Sequence, residues 1–124
     1  MYPRMKEGGG AMNLCCPRSL RVPHLSHMAD YVTAKHALEG LSKALAAEWA
    51  TDGIRVNMVS LGLTRTALTQ FHHERVFKME AARTPLHRLA TPKDIACAVS
   101  YLAGEESAFL TDTNLFVTGG QIML

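Results

Sequence analysis

Tyr31 and Lys35 stand four residues apart in the stretch Tyr31-Val-Thr-Ala-Lys35. On a helix, residues at that spacing leave the same face, one turn apart. A phenol with its ordinary pKa of about 10 is a poor acid at neutral pH. A lysine ammonium alongside favours the phenolate and lowers that pKa. The tyrosine can then give or take a proton during carbonyl or alcohol chemistry. Taken bare, the same spacing also describes an exposed Tyr and Lys on a helix flank, so the surroundings must decide.

Other residues that could do chemistry are His24, His27, His36, His72, His73 and His87. His24 and His27 share a loop, but no carboxylate or cysteine stands at a convincing ligand spacing to them. The histidines are read as solvated, and no metal is expected. The adjacent Cys15 and Cys16 close a short apolar run, which suits inert buried cysteines better than a reactive thiol pair. Met58, Met79 and Met123 are read as core or interface filler.

The elements that position these residues follow from patterning. Residues 1–10, ending in Gly8-Gly9-Gly10, read as the end of a helix and a flexible turn. Residues 11–16 are a short apolar run bounded by Gly and Pro, which suits a buried strand. Residues 17–27 hold Pro17, Pro23, two serines and two histidines, and read as a loop. A helix then starts within residues 26–30, with Ser26 or Asp30 available as its cap. Ala34, Leu38, Leu41, Leu45 and Trp49 form one apolar stripe along it, and Gly53 is placed to end it in the left-handed conformation.

Residues 54–60, Ile-Arg-Val-Asn-Met-Val-Ser, make a strand. A strand, a helix and a strand of these lengths form a βαβ crossover, so the two strands are expected to be parallel. Residues 61–66 are a loop, and 67–82 a weaker, polar helix. Thr91-Pro-Lys-Asp94 opens a further helix with a threonine cap, a proline at its first position and an acid three residues on. Ile95, Val99 and Leu102 give that helix its buried side and Gly104 its stop. Residues 114–118 are a third strand, ended by Gly119-Gly120.

Composition sets the bounds. A chain of 124 residues with 48% hydrophobic and 19% charged residues is one ordinary globular domain. A net charge of +2 from scattered basic residues gives no reason to expect nucleic acid. Three cysteines do not make a disulfide framework, which points to a reducing compartment. No apolar run approaches the roughly 18 residues of a membrane span, and no apolar signal core follows Met1. The expectation is a cytoplasmic protein without a membrane partner.

The order of these features resembles the C-terminal half of the short-chain dehydrogenase/reductase family, with 3-oxoacyl-[acyl-carrier-protein] reductases among the nearest in kind. The matching residues are Gly8-Gly9-Gly10 before a strand, Tyr31-x-x-x-Lys35, Gly40-Leu-Ser-Lys-Ala-Leu-Ala-Ala-Glu48 and Gly53-Ile-Arg-Val-Asn57. Gly62-Leu-Thr-Arg-Thr66, Arg88-Leu-Ala-Thr-Pro92 and Val117-Thr-Gly-Gly120 follow. The resemblance covers nearly all of this chain but about half of the family's single domain. It implies an α/β fold: the C-terminal half of a Rossmann-type, doubly wound parallel sheet of about three strands with helices. Residues 1–124 are then one partial domain, the catalytic half, with a lid region at about 64–90 centred on the polar helix 67–82.

By the same resemblance the activity is NAD- or NADP-dependent interconversion of a ketone and a secondary alcohol. Tyr31 is implied as acid/base, and Lys35 as the group that lowers its pKa and holds the nicotinamide ribose. Gly62, Thr64 and Thr66 are implied to hold the nicotinamide carboxamide through loop backbone and the Thr66 side chain. Relatives acting on acyl-carrier-protein thioesters, steroid ketones or sugar ketones are not separated by these motifs.

The chain departs from the family pattern in several places. Cys16 stands where a serine usually polarises the substrate oxygen, and the loop before Tyr31 is about two residues longer. Ser19 is a possible substitute if that loop folds back. The usual Pro-Gly pair reads Leu61-Gly62, which loosens the loop, and the usual Thr-Gly turn reads Thr111-Asp112, which asks its backbone to change. No G-x-G-x-x-G turn occurs, so the half that grips the pyrophosphate is missing and dinucleotide binding by this chain alone is expected to be weak or absent. The alternative expectation is a non-catalytic, truncated relative acting by association, either as a homo-oligomer or with a complementing full-length relative.

Overall fold

The computed structural model describes residues 2–17 and 28–121, and the side chains of residues 5–14 and 28–121. Helix α1 (Tyr2–Gly8) leads into strand β1 (Gly10–Pro17), and helix α2 (Ala29–Trp49) carries the chain to strand β2 (Ile54–Leu61). Helices α3 (Glu74–Arg83) and α4 (Pro92–Ala103) precede strand β3 (Asn114–Val117). The sheet order is β1-β2-β3 and both pairs are parallel. This is the three-stranded α/β arrangement that the patterning implied.

β2 is central and buried on both faces, which is why its apolar run is nearly continuous. Ile54 and Val56 pack with Ala46 of α2, joined by Met5, Met12, Leu14, Leu45 and Trp49. The alternate residues turn to the other face, toward α4. There Arg55 donates to the carbonyls of Leu102 (2.9 Å), Gly104 (3.2 Å) and Leu110 (3.3 Å) and to Ser107 Oγ (3.1 Å). A helix end leaves carbonyls without intrahelical donors, and Arg55 supplies them. Asn57 fixes the return to β3: its Nδ2 donates to the Leu110 carbonyl at 2.9 Å and its Oδ1 accepts from Thr113 N at 3.1 Å.

α2 is turned differently from its expected stripe. Ala34 is exposed and Leu41 is 49% exposed, whereas Ser42 and Ala46 are buried. The less exposed line along α2 runs Tyr31 and Val32, Lys35, Leu38 and Glu39, Ser42, Leu45 and Ala46, and Trp49. Small side chains at Ser42 and Ala46 let the helix approach β2 closely, and this outweighs burying one more leucine. Met28 precedes the helix with no side-chain cap bond, and Asp30 lies inside the first turn, where its charge suits the helix dipole. Ser26 lies outside the described residues, as do Ser19, Pro23, His24, His27 and Met123. Gly53, at φ 70°, closes the short turn after α2 in the left-handed conformation.

The expected helix over 67–82 is broken in two. Residues 67–69 form one 3₁₀ turn, and α3 begins only at Glu74, after His73 in extended conformation. The cause is Thr69, whose hydroxyl accepts from Thr66 N (2.9 Å) and donates to the Thr64 carbonyl (2.8 Å). A side chain that satisfies local backbone groups competes with continued helix. α4 begins as its sequence implied. Thr91 Oγ1 accepts from Asp94 N at 3.3 Å, and Asp94 Oδ2 accepts from Thr91 N at 2.7 Å. Leu102 of α4 is fully buried, with Ile95 and Val99 half-buried.

At Thr111-Asp112 the turn keeps a left-handed residue: Asp112 itself adopts φ 56°. Asp tolerates that region better than most side chains. Met58 is buried, whereas Met79 is 50% exposed. Among the described residues no helix is long and apolar enough to cross a membrane.

Candidate functional site

Because the strands are parallel, their carboxyl ends share one edge of the sheet. Cys16 is level with Ser60, Pro17 with Leu61, and Leu61 with Val117. Open α/β sheets bind ligands outside that edge. α2 returns the chain from the end of β1 to the start of β2, so its first turns lie at the same edge. Tyr31 and Lys35 occupy those turns.

Both residues are half-buried and lead the less exposed line of α2. The Lys35 ammonium nitrogen lies 5.6 Å from the centroid of the Tyr31 ring. That is within cation–π range, so the pair is a real side-chain neighbourhood and not two residues splayed on a flank. The backbone of Cys16 ends β1 beside Ser60. The side chains of Cys15 and Cys16, and all of Ser19, fall outside the described set.

The loop after β2 approaches from the opposite side of β2. Gly62 N donates to the Val117 carbonyl at 3.0 Å. A Cβ on Gly62 would stand 3.3 Å from Thr118 Cα, so two backbones meet where only hydrogen fits easily. The leucine before it joins the ladder opposite Val117, which anchors this end of the loop. Thr64 Oγ1 donates to the Gly62 carbonyl at 3.1 Å, and Thr69 holds the Thr64 carbonyl and the Thr66 N–H. Much of the loop's polar backbone is therefore engaged within the loop. The Thr66 hydroxyl lies 3.4 Å from Thr69 Oγ1 and takes part in a capping box with that residue.

One cavity borders this region and another lies at the opposite edge of the sheet, and neither is lined by Tyr31 or Lys35. One of about 320 Å³ lies between β3 and residues 84–90, walled by Gly62, Thr84, Leu86, Leu89, Phe116 and Thr118. The other, about 540 Å³, lies at the amino edge of the sheet by Gly10, Arg55 and Phe109. Among the described residues no three His, Cys, Asp or Glu side chains gather as a metal would need. His72 instead packs its ring against Phe71, with centroids 4.3 Å apart.

The residues suit one end of a dinucleotide. Lys35 and Tyr31 offer a cation and a phenol at the carboxyl edge, which suit sugar hydroxyls, and Thr66 offers a hydroxyl on the loop after β2. No glycine-rich turn leads from a strand into a helix among the described residues. Gly9 and Gly10 run into β1 instead.

The sequence reading missed three features. Thr69 shapes the loop, Arg65 pairs with Glu74, and Gln121 Nε2 donates to the buried Glu80 at 2.8 Å. Only the Thr66–Thr69 spacing carries a sequence signal, that of a capping box.

Known proteins match this arrangement closely. The family model described as Enoyl-(Acyl carrier protein) reductase matches residues 1–121. Acetoacetyl-CoA reductase of Allochromatium vinosum is 40% identical over 95 residues, which is 77% of this chain and 39% of that protein. The 3alpha-hydroxysteroid dehydrogenase of Mediterraneibacter gnavus is 37% identical over 115 residues, 93% of this chain and 46% of that one. Gluconate 5-dehydrogenase from Burkholderia cenocepacia, solved with NADP and tartrate, superposes with a TM-score of 0.83 at 27% identity, covering 97% of this chain and 48% of its own. The chain belongs to the short-chain dehydrogenase/reductase family. It spans less than half the length of these three relatives.

Proposed function

We propose that this chain is the catalytic half of an NAD(P)-dependent oxidoreductase that interconverts a ketone and a secondary alcohol. The observation that carries the reading is the placement of Tyr31 and Lys35 together, half-buried, at the carboxyl edge of a parallel sheet in this family. Three relatives are named for acetoacetyl-CoA, a 3α-hydroxysteroid and gluconate, and each of these offers a ketone or a secondary hydroxyl. The common denominator is the reacting carbon and not the rest of the molecule.

In this reading Tyr31 Oη would give its proton to the carbonyl oxygen in reduction, and its phenolate would take the hydroxyl proton of the alcohol in oxidation. Lys35 stabilises the phenolate by its positive charge and binds the nicotinamide ribose hydroxyls. The Thr66 hydroxyl and the backbone around Gly62 and Thr64 orient the carboxamide, and Thr69 keeps that loop in shape. Residues 64–90 cover the site as a lid. A bound nicotinamide supplies or accepts hydride. Cys16 is at the position of the polarising group, with Ser19 as its possible substitute.

A second reading is association without catalysis, and a specific observation favours it. Among the described residues β1 pairs only with β2, which leaves its other edge without a sheet partner. The partner is then a second copy or a full-length relative.

One assay separates the two. The chain is co-purified with the N-terminal half of the acetoacetyl-CoA reductase, and NADPH oxidation is followed with acetoacetyl-CoA. The expected result is activity that falls by about 10²–10⁴-fold in Tyr31→Phe. Activity indifferent to Tyr31→Phe overturns the acid/base role. No activity in a stably assembled pair favours the second reading.

A further inference from the structure

α3 is held very differently at its two ends. At its C-terminal end Glu80 and Thr84 are buried, 6% and 5% exposed. Glu80 accepts from Gln121 at 2.8 Å, Thr84 Oγ1 donates to the Glu80 carbonyl at 2.8 Å, and Leu86 N donates to the Gly119 carbonyl at 3.2 Å. This end is woven into the turn after β3. At the N-terminal end the Arg65–Glu74 ion pair is exposed, while Phe77, one turn on, is buried and meets the His72 ring edge-on with centroids 6.1 Å apart. Arg65 Nη1 and Nη2 donate to the two Glu74 carboxylate oxygens at 3.0 and 2.8 Å, with 55% and 59% of those side chains exposed. The same guanidinium lies 4.2 Å over the ring of Phe77, itself only 4% exposed.

We propose that Arg65 is a positioning residue: it latches the start of α3 to the loop of residues 62–66, and α3 opens about its fixed C-terminal end when that latch is released. An isolated exposed ion pair stabilises little. A two-pronged guanidinium–carboxylate pair that also stacks on a buried ring is geometrically specific, and a lysine cannot reproduce it. Arg65 stands between Thr64 and Thr66, whose backbone Thr69 continues to hold when the pair is broken, so the freedom gained falls on the start of α3. Thr69 then remains as the loop's internal tie. The shallow cavity of about 260 Å³ beneath the pair, floored by Phe77, Ala81 and Leu89, gives the helix start room to move. The bearing of this latch on catalysis rests on reading residues 62–66 as the nicotinamide-facing loop.

The test is hydrogen–deuterium exchange on the full chain, without cofactor, together with trypsin cleavage at Arg75 and Lys78. Arg65→Glu is expected to speed exchange over residues 66–78 by about fivefold while residues 84–86 and 114–117 stay unchanged. The pair Arg65→Glu/Glu74→Arg should return exchange part of the way toward wild type, since the charges pair again but the stack on Phe77 is lost, and Arg65→Lys should stay short of the wild-type exchange rate. Should Arg65→Glu prove poorly folded, Glu74→Gln is the milder probe, with the same pattern expected at smaller amplitude. Unchanged exchange over 66–78, an equal rise at 84–86, or full rescue by Arg65→Lys would overturn the proposal. No ligand takes part in this measurement. Its failure therefore leaves the oxidoreductase reading standing, and a failed Tyr31→Phe assay leaves the latch standing.

Discussion

A hydroxyl donates a stronger hydrogen bond than a thiol, and that difference sets the expectation at Cys16. Its backbone lies opposite Ser60 at the end of β1, yet Ser60 cannot serve in its place. Ser60 is buried and its hydroxyl is committed to Asn114 Oδ1 at 2.8 Å. In the co-purified assay, Cys16→Ser is therefore expected to raise the rate of acetoacetyl-CoA reduction, and Ser19→Ala to leave it unchanged. The reverse pattern would assign the polarising role to Ser19. At this scale the Tyr31–Lys35 pair was legible because four-residue spacing on a helix fixes a shared face regardless of context. Arg65 and Gln121 were not legible. Each acts through a residue brought near by a turn or by the sheet, and no local pattern encodes that meeting.

Elements were readable wherever their ends carry their own chemistry. Thr91, Pro92 and Asp94 announce α4 because capping is a short-range bond between residues three apart. The break between residues 69 and 74 was hidden, since a threonine can either continue a helix or bond back to the loop before it. The face of α2 was misjudged for a different reason. Hydrophobicity counts leucines, but close packing on a strand selects small side chains such as Ser42 and Ala46. The α4 cap also yields a pH dependence. Arg88 is the largest cause that holds the Asp94 carboxyl below the usual carboxylate range, followed by the bonds from Thr91. A carboxyl with a depressed folded-state pKa adds stability above its unfolded value of about 3.9, and that contribution is lost as pH falls through the folded value. Asp94→Asn should thus melt lower than wild type at neutral pH, with the gap in Tm closing as the pH drops below about 4. A gap that stays constant down to about pH 2 would show that the carboxylate charge contributes nothing.

At the scale of the whole molecule the sheet has an open side. Among the described residues β1 pairs only with β2, so its other edge presents backbone N–H and C=O groups without sheet partners. Residues 11–14 are only half-buried, and no charged side chain stands between Ala11 and Cys16 to discourage pairing. Asn13 adds a buried Oδ1 with no hydrogen-bond partner among the described residues, and a buried acceptor left unpaired costs free energy that a docked donor would recover. Leu41 is 49% exposed on the outer side of α2, and Phe109 is fully exposed near the amino edge. Edges and patches of this kind favour a second chain. The isolated protein is therefore expected to self-associate, with β1 at the contact. Light scattering should give a mass above that of one 13.6 kDa chain, rising with concentration. Amides of Met12, Asn13 and Leu14 should exchange more slowly as association increases, and Ala11→Lys, which places a charge on that edge strand beside the cavity at its start, should shift the mass toward one chain. A soluble monomer at every concentration with fast exchange at those three amides would sink the idea, because the edge would then be tolerated by water alone.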